Sequence, residues 1–398
     1  MLEKLEKKYF DRPLSQGFVS LYTGKTIVMI VGALLGLFLP IFLYELFNQN
    51  FQLVLTYYGI AALIYGIVVA FGGKFLNKFG FRKSLRLSVI LGALFYVTLY
   101  YVDSGNLRYL IPLSILVLTF YRLSYWLPYH VDFAKFTSKR DRTRQVSIIE
   151  ATRSGLKIFG PLISGLLITR FSFDAVFVIA IILFIVSGIP YLTIPRTRER
   201  FSWTIKKTLK EFFSKSRRRV VLAYAADGAE GIVSIVVWPI FIYQSLNGNY
   251  LQIGAVSTLI IAVTAILQLF LGRYSDIRNL RGKVLGWGSF FYALGWVIKI
   301  FVVTAFEIFV AGTYHNLARV FIRTPFDSLT YDIAADQGHY VDEFTVLHEM
   351  AINLGRAVMV ALVIIASLYF AIQWVFILAA GTAIVFNLLK IDKRELPE

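Results

Sequence analysis

The chain has 398 residues, of which 57% are hydrophobic and only 16% charged, against about 25% charged in a soluble domain. With 35 Phe and 23 Tyr it carries more apolar surface than a soluble fold of this size can hide, so it reads as a polytopic all-α membrane protein. The net charge of +17 would suggest nucleic acid in a soluble protein, but here Lys and Arg crowd into alternate loops, the positive-inside pattern, and no nucleic-acid partner is expected. The lack of Cys excludes disulfides and thiolate metal centres, and four scattered His argue against any metal site; no cofactor is expected.

In chain order, residues 1–17 are charged and amphipathic without the apolar core and cleavage site of a signal peptide, and read as a cytoplasmic lead-in. Six apolar windows of spanning length follow near 18–45, 51–75, 84–102, 107–130, 147–170 and 174–194, and six more near 220–246, 250–272, 284–305, 307–330, 346–370 and 372–390. The turns at 47–50, 103–106 and 246–250 lack Lys and Arg, whereas 139–144, 196–200 and 216–219 are strongly basic. Both termini are therefore placed in the cytoplasm, including the tail at 391–398, and the membrane is expected to be a prokaryotic plasma membrane. The polar stretch 195–219 divides an N-terminal bundle (18–194) from a C-terminal bundle (220–390). Within it Ile205, Leu209 and Phe212 recur at i, i+4, i+7 among lysines, which suits an interfacial amphipathic helix; a disordered linker is the alternative.

The two halves repeat each other. The stretch from Gly73 to Lys83 matches that from Gly272 to Lys283. Arg122 precedes Pro128 as Arg319 precedes Pro325, Asp132 matches Asp332, and Glu150 and Glu349 follow at nearly equal distances. One six-helix unit duplicated in parallel accounts for all of these. Glycines in the repeated stretch allow a tight turn and close helix approach, and its basic residues suit contacts with acidic groups or helix C-termini that form in one conformation and break in another.

This stretch resembles the loop signature of the major facilitator superfamily, roughly Gly-x-Leu-Ala-Asp-Arg-x-Gly-Arg-Lys. Here it is written Gly73-Lys-Phe-Leu-Asn77-Lys78-Phe-Gly80-Phe-Arg82-Lys83, and again as Gly272-Arg-Tyr-Ser-Asp276 ending Arg281-Gly282-Lys283. The first copy departs from the pattern: Asn77 stands where the family has aspartate. Gly160-Pro161-Leu-Ile-Ser-Gly165 is similar to the Gly-Pro-rich segment of the family's antiporters. The resemblance implies two pseudosymmetric six-helix bundles, twelve spans in all, working as a monomer by alternating access with helices one, four, seven and ten around a central cavity.

Ionisable groups inside spans are costly and are candidate functional groups. Asp227 and Glu230 lie roughly 10 Å and 15 Å beyond Val220, the start of the seventh window. They share one face, where mutual repulsion suits a proton carrier; a structural ion pair with an arginine is the alternative. Arg122, Tyr125, Trp126 and Tyr129 form a cationic and aromatic stripe, and His315, Arg319 and Arg323 stack on one face of the tenth helix. The resemblance places both stripes along the cavity, with Arg323 snorkelling to the interface and His315 better suited to structural hydrogen bonding. Pro128, Gly160, Pro161 and Pro325 are candidate helix hinges. Glu150 with Arg153 and Lys157, and Glu349 with Asn353 and Arg356, are candidate inter-bundle ion pairs closing the inner side; local helix-surface pairs are the alternative.

No phosphate-binding Gly-x-x-x-x-Gly-Lys-Ser/Thr loop and no nucleophile–base constellation is present, so neither an ATP-driven pump nor an enzyme is expected. The expected function is secondary active transport of a small molecule, with proton-coupled efflux of a drug-like compound or metabolite preferred. An importer of a small anionic solute such as a sugar acid or organic phosphate, and a non-transporting receptor, are the alternatives.

Overall fold

A computed structural model of the chain describes residues 14–136, 142–197, 200–271, 281–336 and 341–389. They form a succession of rods. The first bundle comprises α1 (Gln16–Leu35, resuming as Leu39–Leu46), α2 (Phe51–Val68, running through a short tightened turn into Gly72–Phe79), α3 (Phe81–Tyr101), α4 (Leu107–Phe136), and α5 and α6, the two arms of Arg142–Leu192. The arms part at Ser172, whose φ of 68° interrupts the helix. A short linker helix, Ile205–Phe212, separates the bundles, capped by Thr204, whose Oγ1 accepts from the Lys207 amide. The second bundle comprises α7 (Arg218–Ile232, a π turn Val233–Val237, then Trp238–Ser245), α8 (Tyr250–Leu271), α9 (Arg281–Ile298), α10 (Ala305–Asp336), α11 (Val341–Ser367) and α12, centred on Phe376–Val385. Among the described residues nine segments are long and apolar enough to cross a membrane, the double arm counting once. Several rods outrun their apolar windows, α4 to Phe136 and α10 to Asp336, because backbone hydrogen bonding propagates past the greasy run that a hydropathy window detects.

Backbone detail repeats between the bundles. The turn after α1 uses left-handed Asn48 and Gln49, and Asn50 Oδ1 caps α2 by accepting from the Leu53 amide; the turn after α7 uses left-handed Asn247 and Gly248, and Asn249 Oδ1 caps α8 through Gln252. Close crossings repeat as well. A Cβ on Gly160 of α5 would strike the Ala33 carbonyl of α1, and a Cβ on Gly355 of α11 would strike the Ala225 carbonyl of α7.

Two seams join the bundles. In one, Gly59 and Gly66 of α2 lie against Val360, Asn353 and Leu354 of α11. In the other, Gly165 of α5 meets the Tyr250 carbonyl and Gly254 of α8 meets the Pro161 carbonyl, while the Leu162 amide donates to Thr258 Oγ1 at 3.2 Å. The Gly160-Pro161 stretch thus builds helix contact on both flanks of α5. The halves meet through small residues and backbone, the packing expected where lipid supplies no hydrophobic drive between helices.

Candidate functional site

One end of the molecule carries the basic stretches and is here the basic face; the other carries the Asn48 and Asn247 turns and is here the neutral face. On the neutral face α1 and α7 are tied together. Glu45 Oε1 accepts from Tyr243 at 2.6 Å and from the Tyr250 hydroxyl, and Gln244 Nε2 donates to Tyr44 at 2.7 Å. Gln52 Nε2 adds a bond to Ser367 Oγ across the α2–α11 seam. Sequence reasoning missed Glu45. The signal was available: it is an acidic residue ending a span beside a turn with no Lys or Arg.

On the basic face the repeated stretch has an unexpected partner. Gly80, at φ 86°, turns the chain from α2 into α3, as expected of a glycine there. Asn77 Nδ2 donates to the Phe201 carbonyl and Asn77 Oδ1 accepts from the Phe201 amide, both at 2.9 Å. The next residue reaches the other bundle: the Ser202 amide and hydroxyl donate to Glu343 Oε1 at 2.7 and 2.8 Å. A Cβ on Gly73 would meet the Phe201 side chain at 3.0 Å, so Gly73 makes room for the linker rather than for the third helix. Helix C-termini are met by Arg86, which donates to the Tyr191 and Leu192 carbonyls of α6; Arg82 is half-buried and Lys83 exposed. Gly272 and Asp276 lie outside the described residues, as do the side chains of Arg281, Lys283 and Pro325.

Between the faces, charged groups of both bundles converge. Lys25 of α1 is buried, with Nζ 4.1 Å from the Trp126 ring centroid, 4.5 Å from Tyr129 and 5.0 Å from Tyr125. The aromatic stripe of α4 thus cages a lysine that sequence reasoning passed over, although any ionisable residue in a span warranted notice. Tyr125 and Tyr129 are buried in the core with Leu21, Leu85 and Tyr191 rather than exposed along a cavity. Arg122, one turn from Tyr125, instead lies 5.8 Å from the Tyr65 ring and interacts electrostatically with Arg356 of α11. Lys157 of α5 stands in the same relation to Arg319 and Arg323 of α10, and His130 to His348. Cations of the two bundles, Arg122 with Arg356 and Lys157 with Arg319, therefore lie within electrostatic reach of one another. Pro128 lies within α4, between the Arg122 turn and the helix end.

Among the described residues, Glu150 and Glu349 make no ion pair across the bundles. Glu150 pairs with Arg153 on its own helix at 2.7 Å. Arg356 Nη1 donates to Asn353 Oδ1 at 3.2 Å, and Asn353 Nδ2 reaches the Glu349 carbonyl one turn back. Spacings of three and four residues put each set on one helix face, where the local partner is the nearest.

Asp227 and Glu230 share α7 but turn to different partners. Asp227 bonds Arg323 of α10, so Arg323 is an ion-pair partner and not a snorkelling residue. Glu230 is fully buried; its Oε1 accepts from Tyr292 at 2.6 Å, and its Oε2 has no hydrogen bond among the described residues. His315 is buried. It is held between the Tyr292 and Trp296 rings, each 4.5 Å away centroid to centroid, and neither ring nitrogen is hydrogen-bonded among the described residues. Beyond it Lys299 Nζ sits 4.0 Å from Trp238 and 4.1 Å from Trp296. No cluster of metal-ligating side chains occurs among the described residues.

The comparisons agree with this geometry. Residues 21–229 match the family model of the Major Facilitator Superfamily, more than half of the chain. Among solved structures, a mutant of the peptide transporter POT in complex with alafosfalin aligns with a TM-score of 0.64 at 12% identity, covering 96% of this chain and 95% of its own. Peptide transporter POT in complex with sulfate aligns with a TM-score of 0.67 at 11% identity, covering 94% and 93%. No curated protein matches by sequence. Identities this low show a shared fold only, but that fold runs almost end to end. This multi-pass membrane protein therefore belongs to the Major Facilitator Superfamily, and is a transporter rather than an enzyme.

Proposed function

We propose that the protein carries a small anionic solute by alternating access between its two bundles, with proton movement coupled through α7. The observation that carries this reading is the closeness of cations from the two bundles: Arg122 lies 5.8 Å from the Tyr65 ring of α2, Arg356 bonds Asn353, which packs on Gly66 of the same α2 turn, and Lys157 lies within electrostatic reach of Arg319. In a medium of low dielectric such closeness is repulsive, and a carboxylate or phosphate held between the bundles turns repulsion into two attractions. A pocket for drug-like cations would need the opposite balance, and two of the acidic groups there are already paired, Glu150 with Arg153 and Asp227 with Arg323. The anionic reading is therefore preferred over efflux of drug-like cations.

For coupling, a proton arriving at Asp227 would weaken its hold on Arg323 and free that cation toward the substrate; Glu230, with one oxygen unbonded, is the second candidate carrier. The basic face is assigned to the cytoplasm by its loops, and the bundles 18–194 and 220–390 are the rocking units.

The test is solid-supported membrane electrophysiology on proteoliposomes, presented in turn with sugar acids, organic phosphates and cationic amphiphiles. Currents evoked by an anion and lost in Arg122→Gln and Arg319→Gln support the reading. Currents evoked only by cations overturn it, and the absence of current and counterflow with every compound points to a receptor that kept the fold.

A further inference from the structure

Outside the centre, α7, α11 and α12 do not close against one another over their whole length. They leave a lateral cavity of about 540 Å³ with the end of the linker helix as its roof. Its floor is made by small residues, Ala225, Ala226 and Gly355, and its rim by Leu222, Val358 and Leu362, which are exposed on the outer surface of the bundle. The lining is almost wholly apolar. Of its polar members, Ser214 spends its hydroxyl on the Glu211 carbonyl and Thr382 on the Ala379 carbonyl. The remaining one, Arg218, sits at the mouth, exposed, and its guanidinium makes no ion pair or hydrogen bond among the described residues. The only carboxylate of the linker helix, Glu211, is taken by Arg217 at 2.9 Å, and Lys210, Lys215 and Arg219 add to the positive field.

The dimensions select the occupant. From Arg218 to Ala229 α7 advances about 16 Å, close to half of the ~30 Å hydrocarbon thickness. The cavity is therefore one leaflet deep, with its cation at headgroup level. A helix from a second copy would run the full thickness and would bring nothing for Arg218. A soluble ligand would not seek an apolar slot that opens sideways. We propose that this cavity is a binding site for an anionic phospholipid of the basic-face leaflet, one acyl chain lying over Ala225 and Gly355 and the phosphate group on Arg218. The site is separate from the central cluster and does not depend on which solute is carried. The lipid would brace α7 on the side opposite Asp227 and Glu230, filling a gap that packing leaves open.

Native mass spectrometry of the purified, delipidated full chain tests this, with phosphatidylglycerol and phosphatidylcholine of identical acyl chains as probes. One cation at headgroup level should hold phosphatidylglycerol about fivefold more tightly than phosphatidylcholine. The preference should vanish in Arg218→Ala and persist in Arg218→Lys. Both lipids should be held more weakly in Val358→Trp, whose indole fills the cavity from its open side without disturbing a packed residue. Lys206→Ala, which removes an exposed lysine elsewhere on the same face, should change neither. Equal retention of the two lipids overturns the proposal. So does loss of preference in Lys206→Ala as large as in Arg218→Ala, which would mean diffuse attraction to the whole face. A dimer that forms without lipid and is abolished by Val358→Trp would instead assign the cavity to a second copy of the chain.

Discussion

Asn77 bonds both the amide and the carbonyl of Phe201, and only a group that donates and accepts at once can do so. The family's aspartate would keep the bond from the amide and set a charge against the carbonyl. Asn77→Asp should therefore loosen the linker by about 1 kcal/mol and speed tryptic cleavage at exposed Arg200 about fivefold; an unchanged rate would show the paired bonds to be idle. The departure from the family pattern was visible in the sequence, but not its reason, because the partner lies 124 residues away and bonds through backbone that no motif records. Lys25 is a second case. Its position in a span was legible, its cage was not, since Tyr125, Trp126 and Tyr129 belong to α4 and reach it only once α1 and α4 pack. Lys25→Met should fold, the thioether packing well against rings, yet lose most of any anion-induced thermal stabilisation, and Lys25→Arg should retain part of it. Equal stabilisation in Lys25→Met and wild type would make the cage purely structural.

Glycines at the helix crossings separate into two groups. A Cβ on Gly228 would drive into the Ile352 carbonyl and one on Gly355 into the Ala225 carbonyl, whereas a Cβ on Gly32 or Gly381 would meet nothing within 4 Å. The α7–α11 crossing is therefore backbone against backbone, with no flexible side chain to yield. Gly228→Leu and Gly355→Leu should each cost at least the 1–3 kcal/mol typical of overpacking and lose the monodisperse peak in detergent, while Gly32→Leu and Gly381→Leu should elute as wild type. The same elution for all four would place the crossing elsewhere. At this scale the sequence was most informative: the spans, the six-plus-six division and the amphipathic run Ile205–Phe212 follow from apolar periodicity and charge. What it withheld were the partners of Glu150, Arg323 and Glu349, because helix-face spacing says which side a charge occupies but not which helix comes to meet it.

The whole molecule is held at its neutral face by polar bonds and at its basic face by a linker clasped to both bundles, with cations of both bundles between. Glu45 accepts from Tyr243 and Tyr250, and Asn77 and Glu343 grip consecutive linker residues. If the bundles rock as rigid bodies, opening one face must close the other, because the seams of α2 with α11 and α5 with α8 are built on glycine and cannot separate freely. A chain without cysteine suits a direct measurement. Spin labels at Leu53→Cys and Gln252→Cys, at the starts of α2 and α8, report the neutral face; labels at Lys78→Cys and Leu388→Cys report the basic face. Pulsed dipolar distances in proteoliposomes should show the neutral-face pair lengthening as the basic-face pair shortens when a transported anion is added. Glu45→Gln, which keeps the shape but weakens both bonds from Tyr243 and Tyr250 by removing the charge, should shift the population the same way without any solute. Should both pairs lengthen together, or Glu45→Gln leave the neutral-face distance untouched, the polar bonds there would be incidental to the motion and the seams, not the faces, would have to set the balance between the two states.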